Sequence, residues 1–472
     1  MTQRAFSPED QLAFAKLSGD YNPLHMDPVL ARRLLFGGQV VHGLHALLWG
    51  LDHYLKAQAQ PLELRTVKAN FQAGIGLGQT VDCRYNKQDE HQVEIELKID
   101  RRPAAWIQIA LNAVRQHPAD NLPATPQKPQ KCRERSLEET LAASGSVSLY
   151  FDKECAAGLF PHLTRTLPPV QLAALLATTR LVGMECPGLH SVYSGLDLTF
   201  VSNPGGAPKL NYHIAAGNQR LALVLIDVDA PGMKGQIKSF FRPKPREQAA
   251  FTEVCRKVES GEFSAQRALI IGGSRGLGEV TAKILAAGGA EVIITYYHGQ
   301  QDAQRVVEEI VSHGAGADCI PLNVLGPLQE PLRSVANLSK PLYLYYFASP
   351  FIFGAARGRF SSQRFSTFSE YYVTGFLRTV EALAAAPAGL QKIFYPSSTA
   401  IEQVPLDMGE YAAAKIAGEI LCDFLQKANP GLTIHKPRLP RIATDQTASL
   451  LPADNQDPLG VLLSNLRYLR QI

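Results

Sequence analysis

Two stretches of this 472-residue chain bring together side chains that can move protons. The first reads Ser18-Gly19-Asp20-Tyr21-Asn22-Pro23-Leu24-His25-Met26-Asp27. Asp20 and His25 are too far apart in sequence to share one helix face. Pro23 keeps Asn22 out of the α region and folds the chain back, so the two can meet across the turn. A carboxylate beside an imidazole makes an acid/base pair that works near neutral pH. Adding water to an enoyl thioester needs such a pair: one group takes a proton from water and another supplies the α-proton. The thioester oxygen gains negative charge on the way, so a backbone N–H donor is wanted nearby. Gly43, at the start of an apolar helix, can supply it, because glycine lets a ligand approach the backbone closely.

The second stretch is Ile271-Gly272-Gly273-Ser274-Arg275-Gly276-Leu277-Gly278, which follows an apolar strand and opens a helix. In that context a glycine-rich string cradles phosphate, with the free N–H groups and positive dipole end of the helix facing it. Further on, Tyr411 and Lys415 stand one helical turn apart on one face. Lys415 is expected to lower the Tyr411 phenol pKa from its usual value near 10, so that the phenol donates or accepts a proton. Ser398, just past another apolar strand, can hold a carbonyl by a hydrogen bond. The second strand ends Thr295-Tyr296-Tyr297-His298, with no acid for a ribose 2′-hydroxyl. Arg275 sits where a guanidinium can meet a 2′-phosphate, so NADP(H) is the expected cofactor.

The surrounding pattern places both sets. Ser7-Pro8-Glu9-Asp10 is a capped helix start, and Gly19 ends that helix just before Asp20. Val40 to Leu55 is apolar on most sides, which suggests a helix buried in its domain. Strands are expected at Thr66–Phe71, Thr80–Tyr85, Gln92–Ile99 and Ala105–Val114. The same order recurs later: an apolar helix at Pro168–Met184, then strands near Gly195–Val201, Lys209–Ala215, Leu221–Val228 and Gly235–Phe241. The repeat has no counterpart of Asp-x-Asn-Pro-x-His. From Ala268 the pattern changes to alternating strands and helices, which implies a doubly wound parallel sheet.

The string FAKLSGDYNPLHMD followed by VVHGL closely resembles the MaoC-like dehydratases, the (R)-specific enoyl-CoA hydratases. The resemblance implies that Asp20 and His25 are the catalytic pair and that Gly43 lies in the oxyanion hole. It also implies a double hot-dog in which the half lacking the motif shapes the acyl tunnel and contributes no chemistry. The glycine loop with Ser398, Tyr411 and Lys415 resembles the short-chain dehydrogenase/reductase family over about residues 265–445. That resemblance implies a Ser-Tyr-Lys catalytic set and a cofactor held by Gly272, Ser274, Arg275, Gly276, Leu277, Gly278 and Tyr296, with Tyr411 and Lys415. Asn323 replaces the family's usual Asp after the third strand and still allows an adenine hydrogen bond. Two departures stand out. The family's Asn-Ala-Gly appears as Phe347-Ala348-Ser349, and its helix Asn as Thr374.

The expected fold class is therefore an α+β double hot-dog followed by an α/β Rossmann-type doubly wound parallel sheet. The expected domains are a MaoC-like hot-dog at 1–117, a proline-rich linker at 118–134, a second hot-dog at 135–241, a connector at 242–264 and a reductase domain at 265–472. A net charge of +4 is small for this length and argues against nucleic-acid or membrane partners. No apolar run reaches the roughly 18–20 residues of a membrane span. The N-terminus lacks the h-region of a signal peptide. Seven cysteines, none in a CxxC pair, read as free thiols of a cytoplasmic protein with no metal site. The expected substrate is an acyl-CoA or acyl-carrier-protein thioester, and the reductase family implies a homodimer or larger. Together the sites suggest reduction of a 3-oxoacyl thioester followed by dehydration of the (R)-3-hydroxyacyl product, as in fatty-acid or polyketide chain building. Two alternatives stay open. One or both sites are silent and the chain is a carrier-binding or scaffolding component, or the reductase acts on a different carbonyl.

Overall fold

The computed structural model describes all residues except Met1, Ala59, 88–90, 117–121, 124–129, 202–205, 337–339, Ala356, 385–388 and 451–452. The expected linker 118–134 lies largely outside the described residues. Two compact units are present, one spanning Met1–Lys244 and one comprising Pro245–Ala448 with Ala453–Ile472.

The first unit is built on a ten-stranded antiparallel sheet. Its strands are β1 (Thr2–Ala5), β2 (Leu62–Phe71), β3 (Thr80–Lys87), β4 (Gln92–Ile99), β5 (Arg102–Ala113), β6 (Ser144–Ser148), β7 (Ser191–Phe200), β8 (Lys209–Asn218), β9 (Leu223–Ala230) and β10 (Met233–Phe241). The spatial order is β1-β3-β4-β5-β2-β7-β10-β9-β8-β6. Read outward from the β2–β7 seam, where Val67 faces Leu198, the two halves run β2-β5-β4-β3-β1 and β7-β10-β9-β8-β6. The topology is the same twice. Alternation puts Val93, Ile95, Leu97 and Ile99 of β4, and Val224, Ile226, Val228 and Ala230 of β9, on the buried face.

Each half carries one helix that its sequence makes apolar nearly all round, Gly43–Leu55 and Pro169–Arg180, and each is buried on almost every side. Leu47, Leu51, Leu175 and Leu176 share one core with both halves of the sheet. Gln171 in the second helix exchanges two hydrogen bonds with the Leu64 backbone, at 2.7 and 3.1 Å. They satisfy the backbone where β2 bulges between Leu64 and Thr66. That bulge explains why β2 starts at Leu62, earlier than the expected Thr66: Leu62 and Leu64 continue the ladder to β5 across it.

The second unit holds β11 (Arg267–Ile271), β12 (Glu291–Tyr296), β13 (Ala317–Pro321), β14 (Leu342–Tyr346), β15 (Leu390–Phe394), β16 (Ser397–Ser398), β17 (Thr433–His435) and β18 (Arg438–Leu439). Six of them form a parallel sheet in the order β13-β12-β11-β14-β15-β17. Successive β11 residues serve opposite faces. Ala268 and Ile270 pack with Val280, Ile284 and Leu466, while Leu269 and Ile271 pack with Leu344, Phe376 and Leu425. The expected connector is partly built into this unit, because Phe251, Val254 and Phe263 are buried in its core. Chain order reverses between β11 and β14, and the crevice at that switch point is where the glycine loop leaves β11. Among the described residues no helix is long and apolar enough to cross a membrane.

Candidate functional site

In the first unit, Gly19 ends the helix Pro8–Ser18 in a left-handed conformation, φ 75°, and turns Asp20 into the core, where it is 1% exposed. Asn22 caps the short helix Pro23–Met26 by accepting from the Leu24 N–H at 3.0 Å. Its Nδ2 donates to the Gly183 and Gly188 carbonyls at 2.8 and 3.2 Å. The turn brings Asp20, His25 and His42 together, with nitrogen and carboxylate oxygen atoms all within 4.8 Å of one another.

The Val40 carbonyl, and not the Asp20 carboxylate, orients the imidazole of His25. His25 Nδ1 lies 2.7 Å from the Val40 carbonyl, and its ring stacks on His42 at 3.8 Å. A carbonyl accepts only, so Nδ1 carries the proton and Nε2 keeps its lone pair. The Asp20 oxygens accept from the Thr179 hydroxyl at 2.7 Å and from the Asn22 N–H at 3.1 Å. His42 Nε2 sits 3.0 Å from the Asp20 carbonyl. Stacked imidazoles point their in-plane lone pairs side by side and do not aim them at one point, so this cluster suits proton transfer better than metal ligation.

Burial sets the electrostatics. Desolvation raises the Asp20 pKa, against the opposing pull of His25 and the hydrogen bond from Thr179. Desolvation lowers that of His25, against the pull of Asp20. Both shifts favour the neutral forms, a protonated carboxyl beside an unprotonated imidazole. Gly43 is the first residue of the helix Gly43–Leu55, so its N–H is among those with no intrahelical acceptor. A Cβ there would lie 3.1 Å from the Phe71 ring, which makes glycine the residue that keeps this corner open.

Sequence reasoning missed the contribution of the second half. Thr179 on the carboxylate comes from the helix Pro169–Arg180, and the π-helical turn Leu181–Glu185 that follows it places Gly183 against the Asp20 carboxylate, with no room for a Cβ. Arg180 donates to the Ser18 carbonyl at 2.9 Å and lies over the Tyr150 ring. Arg242, 1% exposed, shares the Leu189 carbonyl with Asn22. The one local signal was the polar run Thr178-Thr179-Arg180 at the end of an otherwise apolar helix.

In the second unit, the loop after β11 needs its glycines. Gly272 and Gly276 have φ of 79° and 59°. A Cβ on Gly278 would collide with the Gly272 carbonyl, and one on Gly273 would come within 2.6 Å of Ile294. The Gly272 N–H donates to the Thr295 hydroxyl at 3.0 Å, which ties the loop to β12. Arg275 caps the helix Gly276–Ala287, and its guanidinium is 3.7 Å from the Asp445 carboxylate. Ser274 is buried, Leu277 packs against the core, and Tyr296 ends β12 half-buried. Asn323 Oδ1 accepts from the Leu325 N–H at 3.0 Å.

Ser398 lies near enough to Tyr411 to favour its ionised phenol, and accepts from the Ala400 N–H at 3.2 Å. Tyr411 and Lys415 lie on the helix Gly409–Ala428, both nearly buried. Lys415 Nζ donates to the Pro396 carbonyl at 2.8 Å. The expected drop of the phenol pKa is not seen. Burial pushes Tyr411 up to about 12 and pulls Lys415 down to about 7, because a low-dielectric setting disfavours charge on both. Thr374 lies in a π-helical turn, Glu370–Gly375, but the residue of that turn that meets the site is Tyr372, whose ring lies 3.9 Å from Lys415 Nζ.

Residues 1–102 match the MaoC like domain, and residues 266–435 match the short chain dehydrogenase family. A 3-oxoacyl-[acyl-carrier-protein] reductase of Synechocystis sp. is 43% identical over 62 residues, 13% of this chain and 25% of the relative. A peroxisomal hydratase-dehydrogenase-epimerase of Saccharomyces cerevisiae is 37% identical over 93 residues, 16% of this chain and 10% of the relative. The chain thus spans a quarter or less of the length of these two relatives. A solved short chain dehydrogenase from Burkholderia cenocepacia, in complex with NADP, is 26% identical with a TM-score of 0.35, covering 43% of this chain and 83% of that one. By its two family matches, the chain carries a MaoC-like domain at its N-terminal end and a short-chain dehydrogenase domain at its C-terminal end.

Proposed function

We propose that this chain is a bifunctional acyl-thioester enzyme, an NADPH-dependent 3-oxoacyl reductase joined to an (R)-3-hydroxyacyl dehydratase that also runs as an enoyl hydratase. The observation that carries the reading is the convergence of Asp20 and His25 in one largely buried cluster, on the same chain as Ser398 beside Tyr411. In this reading the ten-stranded sheet with its two helices is a double hot-dog and the second unit a Rossmann-type doubly wound sheet. The domain limits are those expected from the sequence.

For dehydration, His25 Nε2 takes the α-proton of the 3-hydroxyacyl thioester. The Gly43 N–H meets the oxygen as it gains charge. The C–O bond at C3 breaks, and Asp20 gives the departing hydroxyl its proton, so water leaves and the C=C bond forms. The proton on His25 then restores Asp20. The neutral forms that burial favours are the ones this sequence of events starts from.

The glycine loop fits a dinucleotide pyrophosphate, because the close approach of Gly272 and Gly278 leaves backbone N–H groups at a helix start with no Cβ over them. Gly272, Ser274, Arg275, Gly276, Leu277, Gly278, Tyr296 and Asn323 would hold NADP(H), and Arg275 would meet the 2′-phosphate. When bound, NADPH supplies the hydride. Ser398 holds the substrate carbonyl, and Tyr411, kept protonated by burial, donates its phenol proton to the oxygen. Ile416, Ile420 and Phe424 form an exposed apolar stripe on the same helix as Tyr411, which supports pairing with a second copy.

Two assays test the reading. Loss of enoyl-thioester absorbance on hydration should disappear in Asp20→Asn and His25→Ala, and unchanged rates in both would sink the first-site assignment. NADPH oxidation with a 3-oxoacyl thioester should disappear in Tyr411→Phe. A wild-type chain that binds NADPH without oxidising it would favour the binding-component alternative.

A further inference from the structure

Lys415 sits in a setting that works against its charge. It is 6% exposed, and of its three ammonium protons one goes to the Pro396 carbonyl. Glu419, one turn further along the helix, is already engaged by Arg438 at 2.9 Å, so it is not a dedicated counter-ion. Cys422 is a buried thiol on the same helix, with Asp423 and Lys436 acting on it. Among the described residues, the other ionisable groups facing the ammonium are tyrosines. Ring centroids lie 3.9 Å away for Tyr372, 5.1 Å for Tyr395 and 5.9 Å for Tyr411. The nearest of these is well inside the distance at which a ring face attracts a cation, and the attraction is strongest where water is excluded.

The Tyr372 ring is itself held firmly. Its hydroxyl shares a 2.6 Å hydrogen bond with the Ser349 hydroxyl. Its carbonyl accepts from the Tyr395 hydroxyl at 3.0 Å. The ring stacks on Phe368 and stands edge-on to Tyr411 at 5.7 Å. The π-helical turn Glu370–Gly375 inserts an extra residue into the helical run there, and such turns re-aim side chains at functional sites. Gly418, one turn beyond Ala414, leaves the space that the Tyr395 hydroxyl fills.

We propose that Tyr372 is a positioning residue of the reductase site: the face of its ring fixes the Lys415 ammonium and keeps it charged beside Tyr411. The proposal deepens the reductase reading above and rests on it for its catalytic consequence. Burial, only partly offset by Cys422 and Glu419, brings Lys415 down to about 7, so its charge at neutral pH hangs on whatever else favours the protonated form. The ring favours that form only, so it raises the Lys415 pKa, and weakening the ring lowers it.

The test uses the full chain with ¹³C-labelled lysine, the Lys415 signal being assigned by its loss in Lys415→Arg. Tyr372→Phe keeps the ring and drops the hydroxyl. Mono-, di- and trifluorinated phenylalanine at 372 keep the shape and progressively drain the ring's negative face. Tyr372→Phe should titrate like the wild type. Each added fluorine should lower the titration midpoint, by about one pH unit across the series. Thermal unfolding measured at a pH above the folded titration midpoints, where Lys415 is neutral in every folded variant, should stay level, which separates ring electrostatics from a packing defect. One midpoint shared by the whole series would overturn the proposal. The readout needs no turnover, so an enzyme that never oxidises NADPH would remove the reductase reading while leaving the role of the ring decided either way.

Discussion

Asp20 is a buried carboxylate whose ionised form depends on a hydroxyl from the other half of its own unit. Thr179→Val keeps the volume and removes the donor. That should cut dehydration by about tenfold to a hundredfold, the range for a lost hydrogen bond to a charged group at a buried site. The Thr179 bond favours the ionised carboxylate, so its loss raises the Asp20 pKa further. The alkaline limb of the kcat profile should then move to higher pH, and an unmoved limb would place Thr179 in a packing role only. The Asp20→Asn and His25→Ala losses should be larger, about 10² to 10⁴, as for a positioned acid or base. At this scale the sequence was readable where chemistry lay in one short string: Asp20, His25, Gly43, Tyr411 and Lys415 stand out by type and spacing. Thr179, Arg242 and Tyr372 did not stand out. Each reaches its site from a distant segment, and the polar run Thr178-Thr179-Arg180 in an apolar helix does not by itself point to a carboxylate some 160 positions away.

At the scale of elements, the two π-helical turns matter most. The turn Leu181–Glu185 sets Gly183 against Asp20, and the turn Glu370–Gly375 sets Tyr372 against Lys415. Gly183→Ala should abolish dehydration and leave NADPH oxidation intact, because the added methyl would collide with the Asp20 carboxylate. Retained dehydration would mean that the turn relaxes without disturbing the pair. The histidines of the first unit also carry a pH liability. Burial lowers the pKa of His25, and lowers those of His42 and His45 well below the ordinary value near 6.5. Burial likewise lowers those of His53 and His190, so as pH falls through that value the unfolded chain takes up protons more readily than the folded chain, and the contribution of these groups to stability is present above it and lost below. Asp20 and Asp52, with their pKa values raised by burial, work the other way, two groups against five. The denaturation midpoint of the first unit should be lower at pH 5.5 than at 7.5, and an equal midpoint would contradict this balance. Helices and strands were legible because their periods differ: alternation in β4 and β9, continuous apolar runs in β11 and the two buried helices. The β2 bulge and both π turns were not, because each is one extra residue, accommodated by distant packing, that shifts the phase of a short segment without changing its period.

At the scale of the whole molecule, the chain joins two units whose proposed chemistries share an intermediate. In the proposed order of steps, the 3-hydroxyacyl thioester is the product of one site and the substrate of the other. The repeat in the first unit was legible as a repeated order of helix and strands. The contribution of its second half to the acid/base site was not, because that contribution runs through a threonine and a glycine with no motif of their own. The central claim is that one chain reduces and then dehydrates the same acyl thioester. The direct measurement supplies wild-type chain with a 3-oxoacyl thioester and NADPH and follows both thioester products by mass. The account predicts the trans-2-enoyl thioester from the wild type, accumulation of the 3-hydroxyacyl thioester in Asp20→Asn, and neither product in Tyr411→Phe. A wild type that consumes NADPH yet forms no enoyl product, or an Asp20→Asn chain that still forms it, would contradict the account.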